Sequence, residues 1–202
     1  MPRISAARAR EREESLLVAA RKVFAAKGYE KAAISDIARA AGISDGLLYH
    51  YFGSKRGLLL AVLGDFYERI ITNLDFAVSR ANGFEERFKT LVREHVQTFV
   101  DDADLCRLFI SEIRNFDEYL GSPAHNLNRR YTAVLLRVME EGVSQGSVWR
   151  DFDERLVRDM LFGGIEHVAW QYVSSGKKLN VDHVASQVSR LLLRGLSTDH
   201  IP

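Results

Sequence analysis

The nineteen residues from Ile34 to Phe52, ISDIARAAGISDGLLYHYF, constrain this chain more than any other stretch, because their punctuation spells two short helices joined by a tight turn. Ser35 has the side-chain chemistry of a helix N-cap, and Ile37, Ala38 and Ala41 follow as a small apolar face. Gly42 can take the left-handed conformation that ends a helix, and Ser44 can cap the next one two residues later. Ala40 and Ala41 let the two helices approach closely, yet a pair of this size cannot bury its own apolar face. It must lean on other elements, and helix pairs of this form serve either as plain packing units or as DNA-reading devices.

Within Ser15 to Leu60 the chain carries Ala25-Ala26-Lys27-Gly28-Tyr29, Ile37-Ala38, Ala41-Gly42-Ile43-Ser44, Gly46, Leu48-Tyr49, Tyr51-Phe52 and Ser54-Lys55. With these residues at this spacing, the segment resembles the DNA-binding domain of the TetR family of bacterial repressors. The resemblance implies a helix-turn-helix head in which Tyr49 and His50 match phosphate-contacting positions and Lys55 matches the basic residue opening the following helix. Helical spacing turns Leu48 and Phe52 toward the head's core and leaves Ser44, Asp45, Leu47, Tyr49, His50 and Tyr51 outside. Hydroxyl and ring N–H groups can reach phosphate oxygens, while Asp45, Gly46 and Leu47 at the helix N-terminus can meet base edges. Ser35 completes the expected DNA-facing set.

Two positions depart from the commonest family pattern. Asp45 stands where a lysine or arginine is frequent, and Leu47 where a small or hydroxylated residue is usual. An aspartate can accept from cytosine N4 and leucine can touch a thymine methyl, so base preference cannot be copied from relatives. The alternative for Asp45 is a favourable charge at a helix N-terminus.

Charge supports the DNA reading only once it is divided along the chain. The net value of +1 splits into 11 Lys/Arg against 6 Asp/Glu in residues 1–60, and 17 against 21 in residues 61–202. The basic part contains the helix pair, which favours phosphate binding. A chain of 202 residues, 47% hydrophobic and 27% charged, can bury a sizeable core. Three prolines and few alternating apolar patterns point to an all-α fold. Cys106, the single cysteine, excludes an internal disulfide and fits a reducing cytoplasm. No apolar run approaches the roughly 20 residues of a membrane span, so no membrane partner is expected.

Taken in order, residues 1–12, with Arg3, Arg8, Arg10 and Arg12, read as a flexible basic arm that is either a plain tail or an arm ordering on DNA. Residues 13–55 read as the DNA-binding domain, its support helix over Glu13 to Lys27 carrying Leu16, Leu17, Ala20, Val23 and Phe24. Residues 56–202 read as a ligand-binding and dimerisation domain. Ser54 caps a helix to about Ala81, which at 1.5 Å per residue spans about 40 Å and links head to remainder. Five further helices follow: Phe84 to Val100, Asp104 to Asn115, Pro123 to Gln145, Asp153 to Ser174 and Val181 to Leu196.

Catalysis finds no foothold. The residues three before His95, His125, His167 and His183 are Val92, Ser122, Gly164 and Asn180, so the Glu-x-x-His pairs of a di-metal bundle are missing. Neither a glycine-rich phosphate loop nor a Gly-x-Ser-x-Gly elbow occurs, and no cofactor or metal is expected.

Many bulky side chains remain in the second half, Phe116 among them, and most must be core. Arg114, Tyr119, Arg129, Arg130 and Tyr131 bring polar tips and fixed charge around the loop before Pro123, where an anionic head could sit while Phe66, Ile70, Phe99 and Phe109 line an apolar cavity. Glu112-Ile113-Arg114, Leu135-Leu136, Glu140-Glu141-Gly142, Gln145-Gly146 and Leu161-Phe162-Gly163 resemble the C-terminal domain of FadR-type members, which implies a long-chain acyl-CoA effector and control of fatty-acid degradation.

Two late helices offer a different surface. Leu156, Met160, Gly163, Gly164 and His167 on one, with Val184, Val188, Leu191 and Leu192 on the other, suit a homodimer interface. Two glycines inside a helix cost on the order of 1 kcal/mol each against alanine, a cost that close approach by another helix would explain.

The expectation is therefore a homodimeric repressor on a palindromic operator, released by a small hydrophobic effector, an acyl-CoA by resemblance. Another hydrophobic effector, at an efflux or catabolic gene, is the first alternative. A helical carrier without DNA binding is the second, and a salt titration separates it from the rest.

Overall fold

The computed structural model describes residues 6–115 and 119–196. Among them the regular elements are all helices: α1 (Ala6–Lys27), α2 (Ile34–Ala41), α3 (Asp45–Phe52), α4 (Lys55–Arg80), α5 (Gly83–Asp101), α6 (Ala103–Ser111), a 3-10 turn (Ile113–Asn115), α7 (Pro123–Ser144), α8 (Glu154–Ser175) and α9 (Val181–Leu196). The all-α expectation and the order of helices hold.

Two local readings need correction. The first helix begins at Ala6 instead of Glu13, because Ala6-Ala7-Arg8-Ala9-Arg10-Glu11-Arg12 are strong helix formers with no breaker among them. The expected arm over 1–12 is thus helical from Ala6, while its first five residues, Arg3 included, lie outside the described residues, as does Phe116. Ser35 is not the cap of α2. Ala33 holds the cap position in extended conformation, and Asp36 reaches back to accept from the Ala33 N–H at 3.2 Å. A carboxylate three residues into the helix satisfies that donor, which leaves the Ser35 hydroxyl exposed.

The chain divides into two compact units, one comprising Met1–Tyr67 with Leu108–His125 and the other Glu68–Arg107 with Asn126–Pro202. In the first unit α1 packs on α2 and α2 on α3. Leu16, Ala20, Phe24, Ile37, Leu48 and Leu58 are each almost wholly buried there. Burial of each leucine, isoleucine or phenylalanine there is worth about 1.5–3 kcal/mol, and this is what the two eight-residue helices need to stay folded.

The second unit is organised on α5. Phe84, Phe88, Leu91, Val92, His95, Val96 and Phe99 recur at helical spacing and are all buried. Helices α8 and α9 cover this stripe with Ile165, Ala169 and Ala185 among their buried residues. Asp102, only 3% exposed, accepts two hydrogen bonds from Arg69, at 2.8 and 3.1 Å. This bidentate pair ties the end of α5 to the part of α4 within the same unit.

Candidate nucleic-acid interface and effector site

The reading helix is fixed at both ends by its neighbours. Gly42 takes the left-handed conformation (φ 67) that ends α2, and the Ile43 N–H donates back to the Ala38 carbonyl at 3.0 Å. Ser44 then caps α3, its hydroxyl accepting from the Leu47 N–H at 3.3 Å. At the other end the Ser54 hydroxyl accepts from the Gly57 N–H at 2.9 Å and opens α4. A Cβ on Gly57 would collide with the backbone carbonyl oxygen of Phe52, so the approach of α4 to the last residue of α3 depends on glycine. Sequence reading missed Gly57, since an isolated glycine in a helix looks merely unfavourable.

With Leu48 buried as the anchor, the outer side of α3 presents Asp45, Gly46, Tyr49 and His50 to solvent, and Tyr49 is 50% exposed. Ser35 and Ser44 are also exposed, whereas Leu47 and Tyr51 are half-buried. Phe52, expected in the core, is half-buried as well, because it ends the helix beside the Gly53 cap. The Tyr51 ring packs edge-on to His50 (6.1 Å between ring centres) and tilted against Phe52 (6.0 Å), which holds these rings in place.

Lys55 has a second occupation. Its ammonium donates to the Glu30 carbonyl at 3.0 Å and lies 4.5 Å above the Tyr29 ring, which fastens the start of α4 to the loop after α1. An ammonium has three donors, so phosphate contact is compatible with this tie. Asp36 is bound to Lys27 at 2.7 Å, and that hydrogen bond, followed by the one from Ala33, holds its carboxyl below the usual range. Arg39 on α2 is a cation that sequence reading passed over; its side chain is 80% exposed.

The residues expected at the effector site fall in both units. In the first, Phe66 and Phe109 are buried, Tyr119 is half-buried and Arg114 exposed. Rings run in a series there, Phe66 to Tyr67 (5.3 Å), Tyr67 to Phe109 (6.0 Å), Phe109 to Tyr119 (6.0 Å) and Tyr119 to His125 (5.3 Å). Tyr119 also lines a void of about 20 Å³ with Leu59, Leu63 and Ile113, room for one water. In the second unit Ile70, Phe99 and Tyr131 are buried, Arg129 is exposed, and Arg130 pairs with Glu68 at 2.7 Å.

Tyr131 brings in a residue the sequence reading left as core. His95 Nδ1 lies 2.9 Å from the Tyr131 hydroxyl, with Phe99 and Phe162 stacked edge-on around the imidazole. Full burial lowers the His95 pKa to about 3, opposed weakly by the Phe162 backbone carbonyl, so the ring is neutral at physiological pH. Burial pushes the Tyr131 phenol far up, which keeps it protonated. The signal was a lone histidine at an apolar helical position, three residues after Val92.

Glu112 is a further surprise. From the end of α6 its carboxylate accepts from the Tyr29 N–H at 2.6 Å and lies directly against Gly28, just past the C-terminus of α1. Eighty-three positions separate the partners in sequence, a distance no local pattern can reveal.

Of the expected dimer residues, Leu156, Met160 and Leu191 are large apolar side chains 59%, 62% and 74% exposed. Gly163, Gly164 and His167 are exposed beside them, and Val184, Val188 and Leu192 are half-buried. Among the described residues nothing lies within 4 Å of where a Cβ would stand on either glycine, so no packing among those residues requires them. Among the described residues no helix is long and apolar enough to cross a membrane, and no group of three or more His, Cys, Asp or Glu side chains could hold a metal ion.

Comparison with known proteins adds relatives of matching extent. Residues 16–62 match the family described as bacterial regulatory proteins, tetR family, and residues 62–195 match the family described as YsiA-like protein, C-terminal region. The fatty acid degradation regulator FadR from Bacillus halodurans is 30% identical, with a TM-score of 0.82 over 91% of this chain and 98% of that one. FadR from Bacillus subtilis, solved in complex with stearoyl-CoA, is 25% identical, with a TM-score of 0.83 over 90% and 98%. The transcriptional repressor KstR2 of Rhodococcus jostii (strain RHA1) is 29% identical over 94% of this chain and 93% of its own length.

Proposed function

Because the chain belongs to the tetR family of bacterial regulatory proteins, we propose that it is a homodimeric repressor that holds a palindromic operator through α3 of each protomer and lets go when a long-chain acyl-CoA binds. The observation that carries the DNA half is the capped α3, with Tyr49 and His50 held at its exposed side. Asp45, Gly46 and Leu47 meet base edges, Ser35, Ser44, Tyr49, His50, Tyr51 and Lys55 serve the phosphates, and two heads reach successive major grooves about 34 Å apart. The acyl-CoA half is supported by likeness to a regulator solved with stearoyl-CoA.

The functional division assigned is 1–12 as a basic arm, 13–55 as the DNA-binding domain and 56–202 as the effector and dimerisation domain. Effector contacts are assigned to Ile70, Phe99, Arg129, Arg130 and Tyr131 in the second unit and, separately, to Phe66, Phe109, Arg114 and Tyr119 in the first. The dimer contact is assigned to Leu156, Met160, Gly163, Gly164 and His167 of α8 with Val184, Val188, Leu191 and Leu192 of α9. No catalytic step is assigned, and the site of action is the cytoplasm, where the operator is.

Release requires the effector to favour the conformation that does not fit the operator. A coupling of about 1–3 kcal/mol gives 5- to 150-fold release. The Glu112 carboxylate, seated on the end of α1, is the contact through which movement of α6 alters the head. Native mass spectrometry of the purified protein with stearoyl-CoA tests the reading: a dimer retaining the ester supports it, and a dimer retaining none at excess ester overturns the acyl-CoA effector.

A further inference from the structure

Helix α3 carries no lysine or arginine, and its one carboxylate, Asp45, stands at its first position. In a helix proposed to lie against DNA this is unfavourable, because the phosphates repel it. The fold itself makes no use of that charge. Asp45 is exposed, and its carboxylate has no hydrogen bond or ion pair to any described residue. The start of α3 is served by Ser44 instead, whose hydroxyl accepts from the Leu47 N–H at 3.3 Å. Asp36, in the same head, shows what a structural carboxylate does there: it accepts from the Ala33 N–H at 3.2 Å and is bound to Lys27 at 2.7 Å.

The neighbours of Asp45 keep that side of α3 open. Gly46 is exposed and outside the left-handed region, and among the described residues nothing lies within 4 Å of where a Cβ would stand. Neither backbone conformation nor packing calls for glycine at that position, and the bare backbone can come close to another molecule. Leu47 is half-buried and Leu48 buried, while Tyr49, one turn after Asp45 and on its side of the helix, is 50% exposed. Attraction for phosphates comes from beyond α3: Arg39 on α2 has a side chain 80% exposed, and Lys31, ahead of α2, is exposed as well.

Resting on the reading of α3 as the DNA-facing helix, we propose that Asp45 sets base preference: its carboxylate accepts from the N4 amino group of a cytosine in the major groove and disfavours sites that lack one. An A·T pair offers its amino group between two acceptors, adenine N7 and thymine O4, and both repel a carboxylate. A G·C pair places cytosine N4 at the end of its row, with an acceptor on one side and a C–H on the other. Away from such a pair the carboxylate loses water and meets only acceptors or phosphates, so binding to unrelated duplex is weakened. Flanking cations thus hold DNA of any sequence, and one anion on α3 selects among the sequences.

Selection of bound duplexes from a randomised pool, with the intact protein and with Asp45→Asn and Asp45→Ala, tests it. The unsubstituted protein is expected to enrich a palindrome with a G·C pair at one position of each half-site, preferred about tenfold or more over A·T there by fluorescence anisotropy. In Asp45→Ala that preference shrinks to within about threefold, the other positions keep theirs, and affinity for a scrambled duplex rises. Asp45→Asn, whose amide can pair with adenine N6 and N7, is expected to prefer A·T at the same position. Thermal unfolding should be unchanged in both variants, since the carboxylate touches nothing in the fold. An enriched sequence that Asp45→Ala leaves unchanged at every position, or a preference lost at an A·T pair, overturns the role of Asp45 while the DNA reading stands. A protein that enriches no sequence at all overturns the DNA reading and this inference with it.

Discussion

The reading head and the α5 core hold their helices by opposite means. In the head, α2 and α3 are eight residues each, too short to stand alone, and their geometry is dictated at the ends by the Gly42 turn, the Ser44 cap and the bare Cα of Gly57 against Phe52. In the second unit, α5 runs 19 residues and is held along its length by seven buried positions, with a bidentate ion pair at its end. Point contacts fix an orientation to within a side chain, which a DNA reader needs. A long apolar stripe is close-packed and can shift only between discrete arrangements, which suits a domain that responds to an effector.

The sharpest way to break this contrast is Gly57→Ala. The added methyl meets a backbone carbonyl that cannot swing aside, so a loss of about 3 kcal/mol in urea unfolding is expected, with operator binding reduced beyond the unfolded fraction. Stability and binding both unchanged would mean that the α3–α4 junction is not set by this contact. Next comes Asp102→Asn, which leaves Arg69 without its carboxylate in the second unit and should cost about 2 kcal/mol while leaving operator affinity per folded dimer unchanged.

Acid exposes the α5 core in a different way. His95 stays neutral in the folded protein because burial lowers its pKa to about 3, whereas the unfolded chain takes up a proton near 6.5. Its contribution is therefore fully present above pH 6.5 and is lost as pH falls toward 3, with a slope of up to about 1.4 kcal/mol per pH unit. His95→Gln, which can keep a hydrogen bond to Tyr131 but does not titrate, should flatten the acid limb of a pH–stability curve. An unchanged limb would place the acid sensitivity elsewhere. The smallest effect belongs to Ser44→Ala, about 1 kcal/mol from the lost cap, seen in thermal unfolding and as weaker operator binding.

These residues also explain what could be read beforehand. Gly42, Ser44 and Ser54 act locally, through donors and acceptors within three or four positions, so their roles were legible. Ser35 misled because the cap position lies two residues earlier at Ala33, whose side chain cannot cap, and it is Asp36, three residues on, that satisfies the Ala33 N–H. The start of α1 was placed too late because a stretch of arginines and alanines with few apolar residues reads as an arm, while alanine and arginine are also strong helix formers. Glu112 on Tyr29, Arg69 on Asp102 and His95 on Tyr131 join positions 83, 33 and 36 apart, and only folding brings them together. Leu156 and Met160, four apart on α8, and Leu191 on α9 are exposed, which their apolar type alone would not reveal; the glycines and helical spacing are what made them readable as a dimer contact, the role proposed for them.

One titration tests the central claim, that α3 reads a DNA sequence. The protein is titrated onto a selected palindromic duplex and onto a scrambled one by fluorescence anisotropy, across roughly 50 to 200 mM salt. Affinity for the operator should fall steeply with salt, exceed that for the scrambled duplex at every point, and drop in Tyr49→Ala and His50→Ala. Equal affinity for both duplexes, or operator binding that ignores salt and both substitutions, would contradict the claim.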